Sequence, residues 1–451
     1  MIKRMIILRS GLLLLLCSFT VFAHAGNNAL MALLKALHEN GTIDANTYEL
    51  VKRVAAADKL ENSTHIEQLS RSEVERTTQH VPDENIARLK TDVDKDKQKF
   101  RIGGRIVLDA ATFAEDQRRH NDGTKIRRAR LFVQGEISEA WAYKLQYDFT
   151  GTGRDGIQDA YLDYNGLKPF QLRLGHFKEA FSLQNMTSSK YVTFIERGLP
   201  HVFAEGRNLG IQARRSGKNW GFSAGLFGEG RDGASSDNDE GWGVSARATY
   251  APLFDKDRIW HLGASVAHRM TGSNDDLRFS QRPESRLTNT LLVDTGIFDA
   301  DSLTRIVAES AFVYGPFHLQ GEYYHTMIDR DITGNPDLDF AGFYLEAGWF
   351  ISGESLSYKG AGGNFGRVKP DSGVGQGGFG AWQLAIRYSS LDLNDADING
   401  GEADSFTLGL NWFATPSLRF SANYVNVLDV KGGPGSGDEP DVFQLRAQLE
   451  F

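Results

Sequence analysis

The chain has a single cysteine, Cys17, and that one lies in an N-terminal targeting stretch. Without that stretch there is no thiol, which excludes a disulfide framework and any Cys-ligated metal. Long apolar runs are also missing: beyond Phe22 nothing near 18 residues is apolar throughout, so helical membrane spans are excluded. Positive charge is not in excess either. Lys and Arg number 50 against 58 Asp and Glu, for a net charge of −8, so no nucleic-acid partner is implied and any cationic site must be local. Catalytic signatures are absent, with no G-x-S-x-G elbow, H-E-x-x-H or Walker A motif. The 11 His residues are scattered without metal-ligand spacing. Gly103-Gly104 and the Gly-rich run at 360–380 lack the strand-to-helix context of a phosphate-binding loop and read as turn material. An enzyme, a cofactor and a metal are therefore not expected.

What is abundant is glycine and aromatic residues: 48 Gly, 28 Phe, 14 Tyr and 7 Trp. Few long helical patterns follow residue 100, and this combination suggests many short strands joined by turns. Ahead of that region, Lys3, Arg4 and Arg9 precede an apolar core from Gly11 to Phe22 and a small-x-small site at Ala23-His24-Ala25. Residues 1–25 thus read as a secretory signal peptide. A lipoprotein reading of Leu15-Leu16-Cys17 is weak, because the residue before such a cysteine is normally small.

Residues 26–99 form a separate region. Leu30, Leu33, Leu34 and Leu37 recur at helical spacing, Gly41 is placed to stop that helix, and Asp44 can cap a second one carrying Tyr48, Val51 and Val54. From Leu60 to Lys99 the chain is mostly charged, with Pro82 between two partly heptad-like sets, Ile66, Leu69, Val74 and Ile86, Leu89, Val93. A short coiled coil and a polar linker are both open readings of this segment.

From Phe100 the period becomes two and stays so. Ile102, Ile106 and Leu108 alternate with Arg101, Arg105 and Asp109; Trp141, Tyr143, Leu145, Tyr147 and Phe149 alternate with Ala142, Lys144, Gln146 and Asp148. Sixteen such segments can be counted. Trp220, Trp242, Tyr250, Trp260, Trp349, Trp382, Trp412 and Tyr424 all fall on the apolar face, several near segment ends, while the opposite face carries Arg173, Arg247, Arg269, Arg305, Glu309, Glu322, Glu346, Arg387, Arg419 and Arg446. Aromatics at the ends of an outward apolar face, over a charged inner face, describe a transmembrane barrel rather than a soluble sandwich. The fold class expected is all-β, a 16-stranded antiparallel transmembrane β-barrel over residues 100–451 with a small N-terminal helical region. Sixteen strands leave room for an aqueous channel. The short turns at 166–169, 217–219, 315–316 and 415–416 are expected at one end, with the N-terminal region. The long loops near 228–241, 270–302, 352–379 and 428–440 are expected together at the other.

One stretch stands apart. Between the alternating segments at Gln171–Gly175 and Leu209–Arg214 lie roughly thirty residues, too long for a hairpin turn and too rich in Phe, Tyr, Leu and Ile for a solvated linker. Such a loop favours burial and would bring Lys178, Lys190, Arg197 and Arg207 into the barrel. Its residues also carry a family resemblance: Phe177, Lys178, Glu179, Phe181, Ser182 and Leu183; Thr187 to Tyr191; Thr193, Phe194, Glu196, Arg197, Leu199 and Pro200; then Phe203, Ala204, Arg207, Asn208 and Gly210. The string resembles the hallmark stretch of the phosphate-selective porin O/P family of Gram-negative outer membranes, departing from it at Ala180, Ile195 and Glu205-Gly206.

The resemblance implies a passive outer-membrane porin for anions, phosphate or polyphosphate first, assembled as a homotrimer among outer-membrane lipid and lipopolysaccharide. It also implies insertion by the barrel assembly machinery, which in such proteins recognises a last strand ending in Phe, here Phe451; the short turns, expected to face the periplasm, place the N-terminal region there, with the long loops facing the exterior. It further implies a constriction of Arg and Lys with an acidic partner. Lys178 and Lys190 would be ligands and Asp163 the partner, while Arg197 and Arg207 would be either ligands or anchors paired with Glu196, Glu205 or Glu179. Arg128 and Arg130 join as members of an arginine ladder from their parity alone. Two other readings stay open: a general diffusion porin with weak anion preference, and a structural protein tying the barrel to the envelope.

Overall fold

The computed structural model describes residues 100–451 apart from 229, 231–238, 273–275 and 331–333. The expected signal peptide at 1–25 and the helical hairpin with its coiled coil or linker at 26–99 lie outside the described residues. Sixteen strands, each hydrogen-bonded to its sequence neighbours, close into one antiparallel barrel. Numbering the barrel strands alone, they are β1 Phe100–Ala114, β2 Gly123–Glu136, β3 Trp141–Asp148, β4 Ile157–Tyr164, β5 Gln171–Lys178, β6 Arg207–Ser216, β7 Trp220–Phe227 and β8 Trp242–Phe254. The second half is β9 Arg258–Met270, β10 Ser302–Tyr314, β11 Phe317–Asp329, β12 Leu338–Phe350, β13 Ala381–Asp395, β14 Ile398–Phe413, β15 Leu418–Lys431 and β16 Asp441–Glu450. Closure comes from β1 pairing with β16, from Arg105 opposite Glu450 to Ala114 opposite Asp441.

Alternation sets which residues face out. On β10 the inward Leu303, Arg305, Val307, Glu309, Ala311 and Val313 are buried while Ile306, Phe312 and Tyr314 are exposed. Outward Trp242, Tyr250, Trp260, Trp349 and Tyr424 are likewise exposed, as a lipid-facing surface with aromatic edges requires. The strand count agrees with the periodicity. One hairpin is taller than the pattern suggested: β13 and β14 continue through Leu391–Glu402, a polar stretch that reads as a loop, to a two-residue turn at 396–397.

The position of one long connection is corrected. Strand parity places the turns at 137–140, 165–170, 217–219, 255–257, 315–316 and 414–417 at the end where β1 begins and β16 finishes. The segment 351–380 joins β12 to β13 at this same end, and not with the long loops as its length suggested. Length alone was the misleading signal, because direction follows from counting strands.

Three segments fold into the lumen: 179–206 between β5 and β6, 276–301 of the β9–β10 connection, and 351–380. Their apolar side chains form two small cores against inward wall positions. Phe279, Leu292, Val293 and Phe298 of the second segment pack with Leu199 and Phe203 of the first and with Leu303, Tyr324, Phe340, Tyr344 and Leu391 of the wall. Leu356, Phe365 and Val368 of the third pack with Leu183, Ile259, Val313, Phe350 and Phe413. The wall's inner face is therefore not uniformly polar: it is apolar where a segment lands on it. Gly363, at φ 53°, lets the third segment turn tightly against Thr249, and Arg247 Nη2 donates to its carbonyl at 2.7 Å.

Candidate functional site

The segment 179–206 crosses the barrel from β5 to the far wall and returns towards β1. Glu322 on β11 holds its first bend. The Glu322 carboxylate accepts from the backbone N–H groups of Leu183 at 2.6 Å and Gln184 at 2.9 Å, the first residues of the short helix α1, Leu183–Met186, and Tyr344 donates to it at 2.7 Å. Ser182, which caps that helix, also bonds Tyr324 Oη at 2.8 Å. Further along, Arg419 donates to the carbonyls of Val192 and Thr193, and Arg446 to that of Ile195. Two of the wall's arginines are thus spent on loop carbonyls that no strand partner satisfies.

Glu196 ends up between Arg127 Nε at 2.8 Å and Arg446 Nη2 at 3.1 Å. Burial alone would raise its pKa, but Arg127, Arg446 and Arg128 outweigh that and hold the carboxyl well below its usual range. Arg197 donates to the carbonyls of Gln184 and Thr187 and so ties the segment to itself.

The three inserted segments pack mainly onto the β8–β16 side of the barrel. Along β8 to β16 the inward side chains are buried, Arg247, Gln320, Arg387, Asn411 and Gln448 among them. Along β2 to β6 Asp148, Asp159, Asp163 and Gln212 are buried too, but four cations keep part of their surface: the side chains of Arg127, Lys144, Arg207 and Arg214 are between 20 % and 31 % exposed. The partly exposed cations of the lumen therefore lie on the β2–β6 wall.

Charge on this wall is ordered by carboxylates from β3 and β4. Asp148 takes Arg130 at 2.6 Å; Asp159 takes Lys144 at 2.6 Å and Arg207 at 2.8 Å; Asp163 takes Arg173 through two bonds of 2.8 Å and Arg214 at 2.9 Å. Arg173 also lies 3.7 Å over the Tyr161 ring. Gly175, at φ 129°, accompanies β5 where it passes close to Ala160, too near for any Cβ.

Among the described residues, Arg105, Arg128, Lys178 and Arg197 form no ion pair with a carboxylate. Arg105 donates to Ser189 Oγ at 2.9 Å and its Nε is unpartnered; the Arg128 Nε is also unpartnered and buried. Lys178 donates to the Asn185 carbonyl at 2.5 Å, and Arg197 to carbonyls as above. They lie near one another: Arg105 counts Arg130, Arg207 and Arg197 among its charged neighbours, and Lys178 counts Arg197, Arg207 and Arg105.

Of the residues expected from sequence, the structure brings Lys178, Arg197, Arg207, Arg128 and Arg130 together. Lys190 is farther round, where its Nζ pairs with Glu450 at 2.7 Å. Asp163 pairs with two arginines and with neither lysine. Arg207 is paired with Asp159 rather than with Glu196, Glu205 or Glu179. Sequence reasoning left Arg105, Arg127, Lys144, Asp148, Asp159 and Arg214 out of the site. Their signal was available, since Arg105, Lys144, Asp148 and Arg214 lie on the inward parity of strands next to the loop.

The barrel matches, over residues 100–451, the family model described as phosphate-selective porin O and P. An uncharacterised protein of Caulobacter vibrioides is 31% identical over 374 residues, covering 78% of this chain and 74% of its own length. Porin O of Pseudomonas aeruginosa is 28% identical over 395 residues, covering 78% and 88%. Among solved structures, an anion-selective porin from Comamonas acidovorans superposes with a TM-score of 0.51 at 12% identity, covering 79% of this chain and 100% of that one. OmpT, an outer membrane protein of Vibrio cholerae, gives 0.51 at 12%, covering 79% and 98%. Both structural likenesses are likenesses of fold.

Proposed function

Given that the chain belongs to the phosphate-selective porin O and P family and is an outer-membrane porin, we propose that it passes small oxyanions by diffusion, inorganic phosphate or polyphosphate first. The observation that carries this reading is that Arg105, Arg128, Lys178 and Arg197, which among the described residues form no ion pair, lie close to the partly exposed cations of the β2–β6 wall. Two charges about 4 Å apart interact by roughly 4 kcal/mol at the effective dielectric of a partly wet protein. An oxyanion entering this group meets guanidinium forks and an ammonium whose present partners are neutral oxygens, which it can replace without breaking an ion pair.

The paired cations would do different work. Arg130, Arg207, Arg173 and Arg214, each held by Asp148, Asp159 or Asp163, offer shallower sites before and after the cluster. A row of weak sites passes an ion along, whereas one deep site traps it. Lys190, held by Glu450, would anchor the segment 179–206 and add a more distant positive charge. In this reading the end carrying the short turns and both strand termini faces the periplasm, and three barrels assemble side by side.

Single-channel conductance in planar bilayers, first in chloride and then with added phosphate, tests the proposal. Phosphate should block chloride current in the wild type at low concentration and fail to do so in Lys178→Glu. A large current indifferent to phosphate and to this substitution would leave a general porin with weak anion preference.

A further inference from the structure

β13 and β14 set two consecutive cross-strand pairs on the lumen wall: Arg387 opposite Thr407, and Ser389 opposite Ser405. All four side chains are buried, and together they aim one guanidinium and three hydroxyls at a single point. Glu284, from the segment 276–301, occupies that point. One carboxylate oxygen accepts from Ser389 Oγ at 2.6 Å and from Ser405 Oγ at 3.2 Å. The other accepts from Thr407 Oγ1 at 2.8 Å and from Arg387 Nη2. Glu284 itself has φ 44°, a left-handed backbone that a residue with a Cβ seldom adopts. The backbone is bent to deliver this carboxylate.

We infer that the cradle of Arg387, Ser389, Ser405 and Thr407 is an oxyanion-binding site whose resident ligand is the loop's own carboxylate, so that dissolved oxyanions and Glu284 compete for it. The donor set favours this: a planar fork with hydroxyls around it satisfies the several lone pairs of a carboxylate or a phosphate. A tethered ligand acts at an effective concentration on the order of millimolar, so the latch holds at low anion and yields only when dissolved oxyanion exceeds that range.

Release has a consequence for the passage. Glu284 lies between Arg282 and Arg286, and Arg286 has Glu196 and Arg127 among its charged neighbours. Arg387 also donates to the Glu196 carbonyl at 3.0 Å and lies 4.4 Å over the Phe194 ring. Freeing Glu284 therefore loosens two arginines at the lumen together with the wall contact of the segment 179–206. The inference needs only the barrel and this loop, and it stands or falls independently of which anion the channel prefers.

The test empties the cradle. Glu284→Gly suits the left-handed backbone and removes the carboxylate. It is made in a Glu346→Gln background, because Glu346 is the cross-strand neighbour of Arg387 and would otherwise take it over. Thermal unfolding in detergent is followed with formate, phosphate or chloride at matched ionic strength. The expected result is a lower midpoint than in the parent, raised progressively by added formate and phosphate but not by chloride, with no restoration once Arg387→Met is added. An unchanged midpoint, equal restoration by chloride, or restoration without Arg387 would each overturn the site. Should the variant not fold, wild-type protein decides: proteolysis within 276–301 should quicken with rising formate relative to chloride, and equal rates in both salts refute the competition.

Discussion

Arg446 on the last strand and Asp109 on the first form a two-pronged ion pair, both contacts 2.7 Å, across the seam where the barrel closes. The same arginine reaches the Ile195 carbonyl and Glu196 of the inward segment. Barrel closure and loop position thus share one side chain.

Arg446→Ala should therefore act twice. Removing one partner of a buried pair leaves the other charge uncompensated, at about 3–5 kcal/mol. The barrel should unfold earlier on heating in detergent, and its single-channel current should become noisier as 179–206 loses its wall contact. Asp109→Ala should reproduce the instability with much less noise. Equal noise in both variants would separate loop position from Arg446.

Lys178→Glu should invert the local field at the β2–β6 wall. The affinity with which phosphate blocks chloride current should fall at least tenfold, about 1.4 kcal/mol, and the reversal potential in a chloride gradient should move towards cation preference. Lys190→Glu should change both much less, because Lys190 is already paired with Glu450. A larger effect at Lys190 than at Lys178 would relocate the constriction.

Glu322→Ala removes the acceptor for two backbone donors of α1. Each buried donor left unsatisfied costs about 1–3 kcal/mol, so the inward segment should detach at its first bend. Open-channel conductance should rise and substate flicker should appear, while Glu322→Gln, which keeps an acceptor, should lie between the two.

Replacing residues 355–375 by a short Gly-Ser turn should enlarge the conductance without abolishing folding, because this segment fills the lumen from the end with the short turns. The wall positions it covers, Ile259, Val313 and Phe413, would then meet water. An unchanged conductance would mean that the segment lies outside the ion path.

At the opposite end, Arg278 donates two bonds to Asp294 within the segment 276–301. The Arg278 hydrogen bond, against a smaller opposing effect of burial, lowers the Asp294 pKa. A carboxyl with a lowered folded pKa adds stability that is complete above its ordinary value and is lost as pH falls through the lowered one. Loop proteolysis should therefore be flat at neutral pH and quicken only below the usual carboxylate range, and Asp294→Asn should remove that step.

The sequence determined a good deal without help. Period-two alternation with aromatics on one face requires strands with a lipid side and a lumen side, because side chains alternate across a strand and lipid tolerates only the apolar set. Phe177 to Gly210 carried the family, and the same parity marked Arg128 and Arg130. What parity cannot supply is partnership. Whether Asp163 serves Lys178 or Arg173 depends on which inward side chains the β4–β5 register sets opposite each other, Asp163 against Arg173. That Lys190 is paired while Lys178 is not depends on where a folded loop lands, near Glu450 for one and the Asn185 carbonyl for the other. That the β8–β16 wall is covered while Arg127, Lys144, Arg207 and Arg214 keep exposed surface follows from three segments packing apolar side chains onto that wall, contacts between residues far apart in the chain. Only the closed barrel brings them together.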